Sequence, residues 1–239
     1  MNFPFFYIDV FDASQKQVLL SEETSRHLVQ VLRMKKGDQV HLTEGNGHLL
    51  TCTITDDHKK HCSVSVDSLE YTEQPARTTS IGISLLKNTS RFEWFLEKAA
   101  ELGISSIIPL MCERTEKERF RHDRLQQICI SAMLQSQQVW LTQLHQPIAY
   151  DLLFRQEDVA SIKGRYIAHC EKSMDRKPLS FYQPFQHSCI VLIGPEGDFT
   201  KEEIGRAIDN NFQAVSLGST RLRTETAGIT TAVILQQGR

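Results

Sequence analysis

The sequence has no uninterrupted apolar stretch of the roughly 18 residues that a membrane-spanning helix needs, so no such helix is expected. Its opening segment, MNFPFFYIDVFD, lacks a basic flank and meets acid at Asp9, so it does not read as a secretion signal. The six cysteines, at 52, 62, 112, 129, 170 and 189, form no C-x-x-C pair. Scattered cysteines without a signal are expected to be reduced thiols in a cytoplasmic protein. HKKHC offers His58, His61 and Cys62 as metal ligands, but nothing nearby completes a site; a polar hairpin turn is the better reading, and no metal is expected. There is no G-x-x-x-x-G-K-[ST], and no G-x-G-x-x-G after a strand, which disfavours ATP hydrolysis and dinucleotide binding. G-x-S-x-G and H-E-x-x-H are also missing, so a reaction run by positioning and electrostatics is favoured over covalent catalysis. An excess of positive charge is absent too: the net charge is −2, so any attraction to nucleic acid must come from a local patch.

What remains is a chain of 239 residues, 40% apolar and 23% charged, long enough for one large domain or two ordinary ones. The first 70 residues read as mostly β. Residues 21–34 carry Leu28, Val31 and Leu32 at helical spacing, with acid at the start and Arg33 near the end, and predict one short helix. Strands are expected near 38–43, 48–55 and 61–69, separated by Gly45-Asn46-Gly47 and Asp56-Asp57-His58, in a small barrel or curled sheet. Polar YTEQPARTT (71–79) is the candidate linker. From residue 80 strands alternate with helices. Strands are expected at 80–87, 104–111, 164–171, 188–197 and 212–218, and helices at 91–103, 124–139, 200–211 and from 226. This alternation predicts an α/β fold with a mostly parallel sheet covered on both faces.

Ligands of such sheets bind beyond the carboxyl ends of strands. Three loops qualify: HCEKSMDRKP (169–178), GPEGDFTKEE (194–203) and GSTRLRTETA (218–227). In the second, Gly194 and Gly197 allow close backbone approach and Pro195 stiffens the turn; a ligand loop and a plain tight turn are equally good readings. In the third, Thr224 suits a helix N-cap and Glu225 a first turn, whereas Arg221 and Arg223 have the wrong sign for that helix end. At i and i+2 of an extended segment they form a fork for phosphate or carboxylate, or else pair with Glu196 or Glu225. Arg91, Arg114, Arg119, Arg121 and Arg124 extend the positive surface, but Glu113, Glu116 and Glu118 interrupt it, and ERTEKERFRHDR reads more simply as a solvated loop.

IGPEGDF followed by VSLGSTRLRTETA resembles the C-terminal signature of the RsmE-type ribosomal RNA methyltransferases of the SPOUT superfamily. HLVQVLRMKKGD, LLKNTSRFEWFLEKAAELGI, AMLQSQQ and AHCE resemble further segments of that family, in the same order along the chain. The resemblance implies a PUA-like RNA-binding β-barrel over residues 1–72 and a SPOUT domain with a deep trefoil knot over 73–239. It implies a cytoplasmic homodimer that transfers methyl from S-adenosylmethionine to N3 of a uridine in 16S rRNA of the small subunit. It places His169, Cys170, Glu171, Ile193, Gly194, Pro195, Glu196, Gly197, Leu217, Gly218, Leu222 and Ala227 at the cofactor. It places Arg223 and Glu225 near the reacting base, and His27, Arg33, Lys87, Arg91 and Arg114 toward RNA. Asp198 departs from the usual second glycine of G-P-E-G-G-F, and Ser131, Leu134, Gln137 and Gln138 depart from the pattern around the Gln-Ser helix. The competing readings are a non-catalytic knotted rRNA-binding protein and a small-molecule methyltransferase.

Overall fold

The computed structural model describes residues 3–116, 119–171 and 173–237, so Lys117 and Glu118 of the charge run and Lys172 of the first candidate loop lie outside it. The chain forms two compact units, Met1–Gln74 with Met133–Leu141, and Pro75–Ala132 with Thr142–Arg239. The excursion of 133–141 into the first unit is a feature that the sequence reading does not contain.

In the first unit, β1 (Phe5–Tyr7), β2 (Gln17–Leu19), β3 (Gln39–Thr43), β4 (His48–Asp56) and β5 (Ser63–Tyr71) form one sheet in the order β1-β3-β4-β5-β2. Alternation sets its faces: Leu50, Cys52 and Ile54 of β4 are buried, while Thr51, Thr53 and Thr55 are partly open. Between β2 and β3, α1 (Glu22–Arg26) starts on Ser21, whose hydroxyl accepts from Thr24 N at 3.1 Å. The predicted helix over 21–34 continues past α1 as one π turn, His27–Val31, and stops where Arg33 takes φ 58°. Asn46, in the bend between β3 and β4, bridges to Trp140, and Trp140 Nε1 donates to Thr72 O at 2.9 Å. These contacts hold 133–141 in this unit.

The second unit contains β6 (Thr79–Ser84), α2 (Thr89–Glu101), β7 (Ser106–Met111), α3 (His122–Gln135), β8 (Gln143–Leu144), β9 (Ile148–Ala149), α4 (Tyr150–Leu153), α5 (Glu157–Ser161), β10 (Gly164–Ala168), β11 (Lys177–Pro178), β12 (Cys189–Ile193), α6 (Lys201–Asp209), β13 (Gln213–Ser216) and α7 (Thr224–Gln236). α3 also runs three residues into the stretch assigned to the first unit. The strands pair in parallel in the order β11-β13-β10-β12-β6-β7-β8, with β9 also against β7. Local signals account for the main helices. Asn88 caps α2, and Thr200 and Glu203 close a reciprocal capping box on α6. α3 ends four residues before the predicted 139, because Gln137 adopts φ 57° and Gln138 N turns back to Met133 O.

Every residue of β6 and of β12 is buried, as a strand covered on both faces requires. On one face Leu110, Ile167, Ile190 and Leu192 pack with Phe199, Ile204 and Phe212. The other face carries α2 and α7, with α7 lying on β6 and β12. The close approach is at Gly228, where a Cβ would sit 2.5 and 2.6 Å from two ring carbons of Phe95 and 3.1 Å from Ile83 Cδ1. Phe95 is fully buried and has no room to yield. Gly228→Val is therefore expected to cost about 3 kcal/mol by overpacking. A drop in Tm of roughly 6–12 °C in a calorimetric scan would show it, and an unchanged Tm would contradict this packing.

Candidate active site

Three neighbouring strands end level with one another. Ala168, the last residue of β10, sits opposite Ile193 of β12 and Val215 of β13. Because the strands are parallel, the loops beginning at His169, Gly194 and Leu217 emerge side by side, where ligands of α/β sheets bind. They enclose a cavity of about 280 Å³. Of the residues expected at a cofactor, His169, Cys170, Ile193, Gly194, Pro195, Glu196, Leu217, Gly218, Leu222 and Ala227 line it. Glu171 and Gly197 do not. The Glu171 carboxylate turns to Ser173, accepting from its N and Oγ at 3.1 and 2.9 Å, and the Gly197 carbonyl accepts from Arg114 Nη1 at 2.6 Å.

The loops are tied to each other. Thr224 is not the N-cap that its sequence position suggests. Arg223 occupies that position without a side-chain cap bond, and Thr224 opens α7. The Thr224 hydroxyl instead donates to Gly194 O at 3.1 Å, fastening the start of α7 to the loop after β12. Arg221 Nη2 donates to Glu196 O at 3.2 Å, so its partner is the backbone carbonyl rather than a carboxylate. Asp198 holds φ 67°, a conformation that aspartate tolerates better than most side chains, which explains how it stands where the resembling family has glycine. Its carboxylate accepts from Cys170 N at 2.7 Å and Phe199 N at 2.9 Å, bridging the loops after β10 and β12. The extra negative charge is thereby engaged by two amides.

Sequence reasoning missed Arg176. It lines the cavity and donates to the carbonyl of His169. It lies in a loop already marked as a candidate, but a lone arginine in a polar loop carries no periodic signal. His169 itself is 4% exposed. Its Nδ1 accepts from Glu171 N at 3.2 Å, which places the ring proton on Nε2, and Nε2 is buried without a partner among the described residues. Burial, then the Arg176 guanidinium, hold this imidazole below the ordinary histidine range, against the opposing pull of Asp198 and Glu171. The unfolded chain therefore takes up the proton first, and this contribution to stability is lost as pH falls below about 6.5. His169→Gln is expected to flatten the acid side of a plot of Tm against pH; an unaltered slope would show that His169 does not titrate this way.

Arg223 lines the cavity, is exposed, and has no side-chain hydrogen bond or ion pair among the described residues. Glu225 does not line it. Its side chain is buried, with Oε1 3.6 Å from Arg91 Nε and Oε2 unpartnered among the described residues. The remaining residues expected to face RNA lie outside the cavity lining: Lys87 pairs with Glu116 at 2.7 Å, and His27 and Arg33 are exposed in the first unit. All six cysteines are free. No helix among the described residues is long and apolar enough to cross a membrane.

The cavity suits a ligand with an apolar flat part and a few hydrogen-bonding edges. Ile193, Leu217, Leu222 and Ala227 supply the apolar wall, and His169 Nε2–H is a donor with no partner among the described residues. A Cβ on Gly218, at φ 148°, would meet no atom within 4 Å, so the backbone there is open to close approach.

This geometry defines an α/β domain with a ligand-sized cavity, the chain also carries a small β unit, and comparison with known proteins gives both a family. Residues 72–236 match the RNA methyltransferase domain, and residues 20–67 match the RNA methyltransferase PUA domain. A Synechocystis protein named ribosomal RNA small subunit methyltransferase E is 31% identical over 88% of this chain and 69% of its own length. A solved Porphyromonas gingivalis protein, described as a probable rRNA-methyltransferase, is 34% identical, with TM-score 0.88 over 98% of both chains. The solved ribosomal RNA small subunit methyltransferase E from Neisseria gonorrhoeae, bound to S-adenosyl methionine, is 26% identical, with TM-score 0.82 over 98% of this chain and 97% of its own. The chain belongs to the RNA methyltransferase family that includes the ribosomal RNA small subunit methyltransferases E.

Proposed function

We propose that the protein transfers a methyl group from S-adenosylmethionine to N3 of a uridine in 16S rRNA. The observation that carries this reading is the single cavity made by the loops after β10, β12 and β13, with Arg223 exposed on its wall. Family membership and the S-adenosyl methionine bound to the Neisseria relative support the donor. The PUA match supports an RNA substrate. The reading assigns RNA binding to residues 1–72 and catalysis to residues 73–239. It includes a trefoil knot and a cytoplasmic homodimer. The path of α7, which follows β13 yet packs on β6 and β12, fits a chain end carried back across the sheet.

S-adenosylmethionine supplies an electrophilic methyl on a sulfonium. The chain's own part is to hold, orient and stabilise. The lining residues expected at the cofactor grip the donor, with His169 Nε2–H as a directional contact. Uracil N3 becomes nucleophilic only after losing its proton, which spreads negative charge onto O2 and O4. Arg223 stands at the N-terminus of α7, so guanidinium and helix dipole both favour an anion there. Glu225 does not line the cavity, so the N3 proton is proposed to pass to solvent water, and Glu225, beside Arg91, is proposed to position the start of α7 under the base. Orientation of nucleophile, methyl and sulfur in line contributes the rest. Incubation with S-adenosylmethionine and 16S rRNA, followed by nucleoside mass spectrometry, is expected to yield N3-methyluridine. Methylation of another atom would refute the regiochemistry, and no methylation of rRNA or assembled small subunits would refute the function.

A further inference from the structure

A second cavity in the same unit, of about 690 Å³, lies at the carboxyl end of β6 between the starts of α2 and α3. Its floor is apolar, with Leu85, Leu86 and Phe92 buried. One wall is the half-buried Phe120, edge-on to Phe92 at 6.3 Å and 74°. Three arginines line it against one carboxylate: Arg124 is held by both oxygens of Glu93 at 2.9 and 3.1 Å, and this neutralises one of the three. Arg119 and Arg121 are exposed, and their side chains have no partner among the described residues. Thr89, the first residue of α2, lines the cavity, and Arg121 immediately precedes α3, so two helix N-termini add their partial positive charge. In a chain of net charge −2, this concentration of unpaired positive charge over aromatic surface selects a ligand that is anionic and carries a flat apolar face.

The geometry points to a binding site for a second nucleotide of the RNA substrate, its phosphate on Arg119 and Arg121 and its base against Phe120. This rests on the rRNA reading above. The connection after β7 relates the two sites: Arg114 at its start donates to Gly197 O in the cofactor-side loop, and Arg119 to Arg121 at its end line the second cavity. One RNA strand is thus proposed to present its reacting uridine at the first cavity and another of its nucleotides at the second. Phosphate contacts fix register without reading sequence, so this site positions the strand.

The test uses the full-length chain and 16S rRNA as probe, with affinity measured over a series of salt concentrations. The variants are the double substitution Arg119→Ala with Arg121→Ala, and Phe120→Leu. The double variant is expected to bind at least tenfold more weakly, with the slope of log affinity against log salt shallower by about one per lost phosphate contact. Phe120→Leu is expected to weaken binding about tenfold with the slope retained. S-adenosylhomocysteine affinity and the sedimentation coefficient should stay at the wild-type values. Unchanged RNA affinity and slope in both variants would overturn the site. So would a double variant that binds RNA normally but changes oligomeric state, which would assign the cavity to a second copy of the chain. A wild type that neither binds nor methylates 16S rRNA removes the premise. A wild type that does both, beside variants that behave identically, removes the subsite alone.

Discussion

Arg223→Ala is expected to lower methyl-transfer turnover about 100- to 1000-fold while leaving S-adenosylhomocysteine affinity within a few-fold of wild type. The magnitude is that of losing one preorganised charge donor opposite a developing anion, about 2.7–4 kcal/mol. The asymmetry follows from placement. Arg223 is exposed on the cavity wall without a side-chain partner among the described residues, so its removal leaves the ties between the loops intact. Thr224 still fastens α7 to Gly194 O, and Arg221 still holds Glu196 O. Single-turnover kinetics with saturating donor, together with calorimetry, separate the two effects. Arg223→Lys should restore only part of the rate, because one ammonium lacks the planar fork that can face two oxygens. Equal losses of turnover and cofactor affinity would show that Arg223 serves the donor rather than the base.

Gly218→Val is expected to act on the other half of the reaction, weakening S-adenosylhomocysteine binding at least about tenfold. At φ 148° an L-side chain is strained whatever space surrounds it, and such strain costs on the order of 1–3 kcal/mol. The loop can relieve the strain only by moving away from the position in which it borders Leu217 and Leu222 on the cavity wall. A Cβ on Gly218 meets no atom within 4 Å beyond its chain neighbours, so the rest of the sheet has no reason to unfold. Calorimetry at 25 °C on a sample whose circular dichroism matches wild type measures the loss. Wild-type affinity would place the ligand away from this bend.

Much of this was legible in the residues because the relevant physics is local. Residues 189–193, CIVLI, are a short apolar run, as a doubly covered parallel strand must be, and in 79–84 only small residues separate Ile81 and Ile83. Asn88 and the Thr200–Glu203 pair mark helix starts that need no tertiary help. The glycine-bearing loops stand out because they break apolar strands just before helices, and the structure brings both of them to one cavity. What escaped is decided by distant contacts. Residues 133–141 leave a helix to join the β unit, through Trp140 to Thr72 and Asn46. The two-residue strands β8, β9 and β11 are too short to show a period. Thr224 fits a cap by composition, yet Gly194 O, 30 residues earlier, takes its hydroxyl. Asp198 is an added charge in the sequence, and its carboxylate is occupied by Cys170 N, 28 residues earlier, and by Phe199 N.

A crystal of the full-length chain grown with S-adenosylhomocysteine tests the central claim most directly. The account predicts ligand density bounded by His169, Gly194 and Gly218, with the sulfur on the side of the cavity that Arg223 faces. Density for the ligand at any other place on the chain, with this cavity holding only solvent, would contradict it.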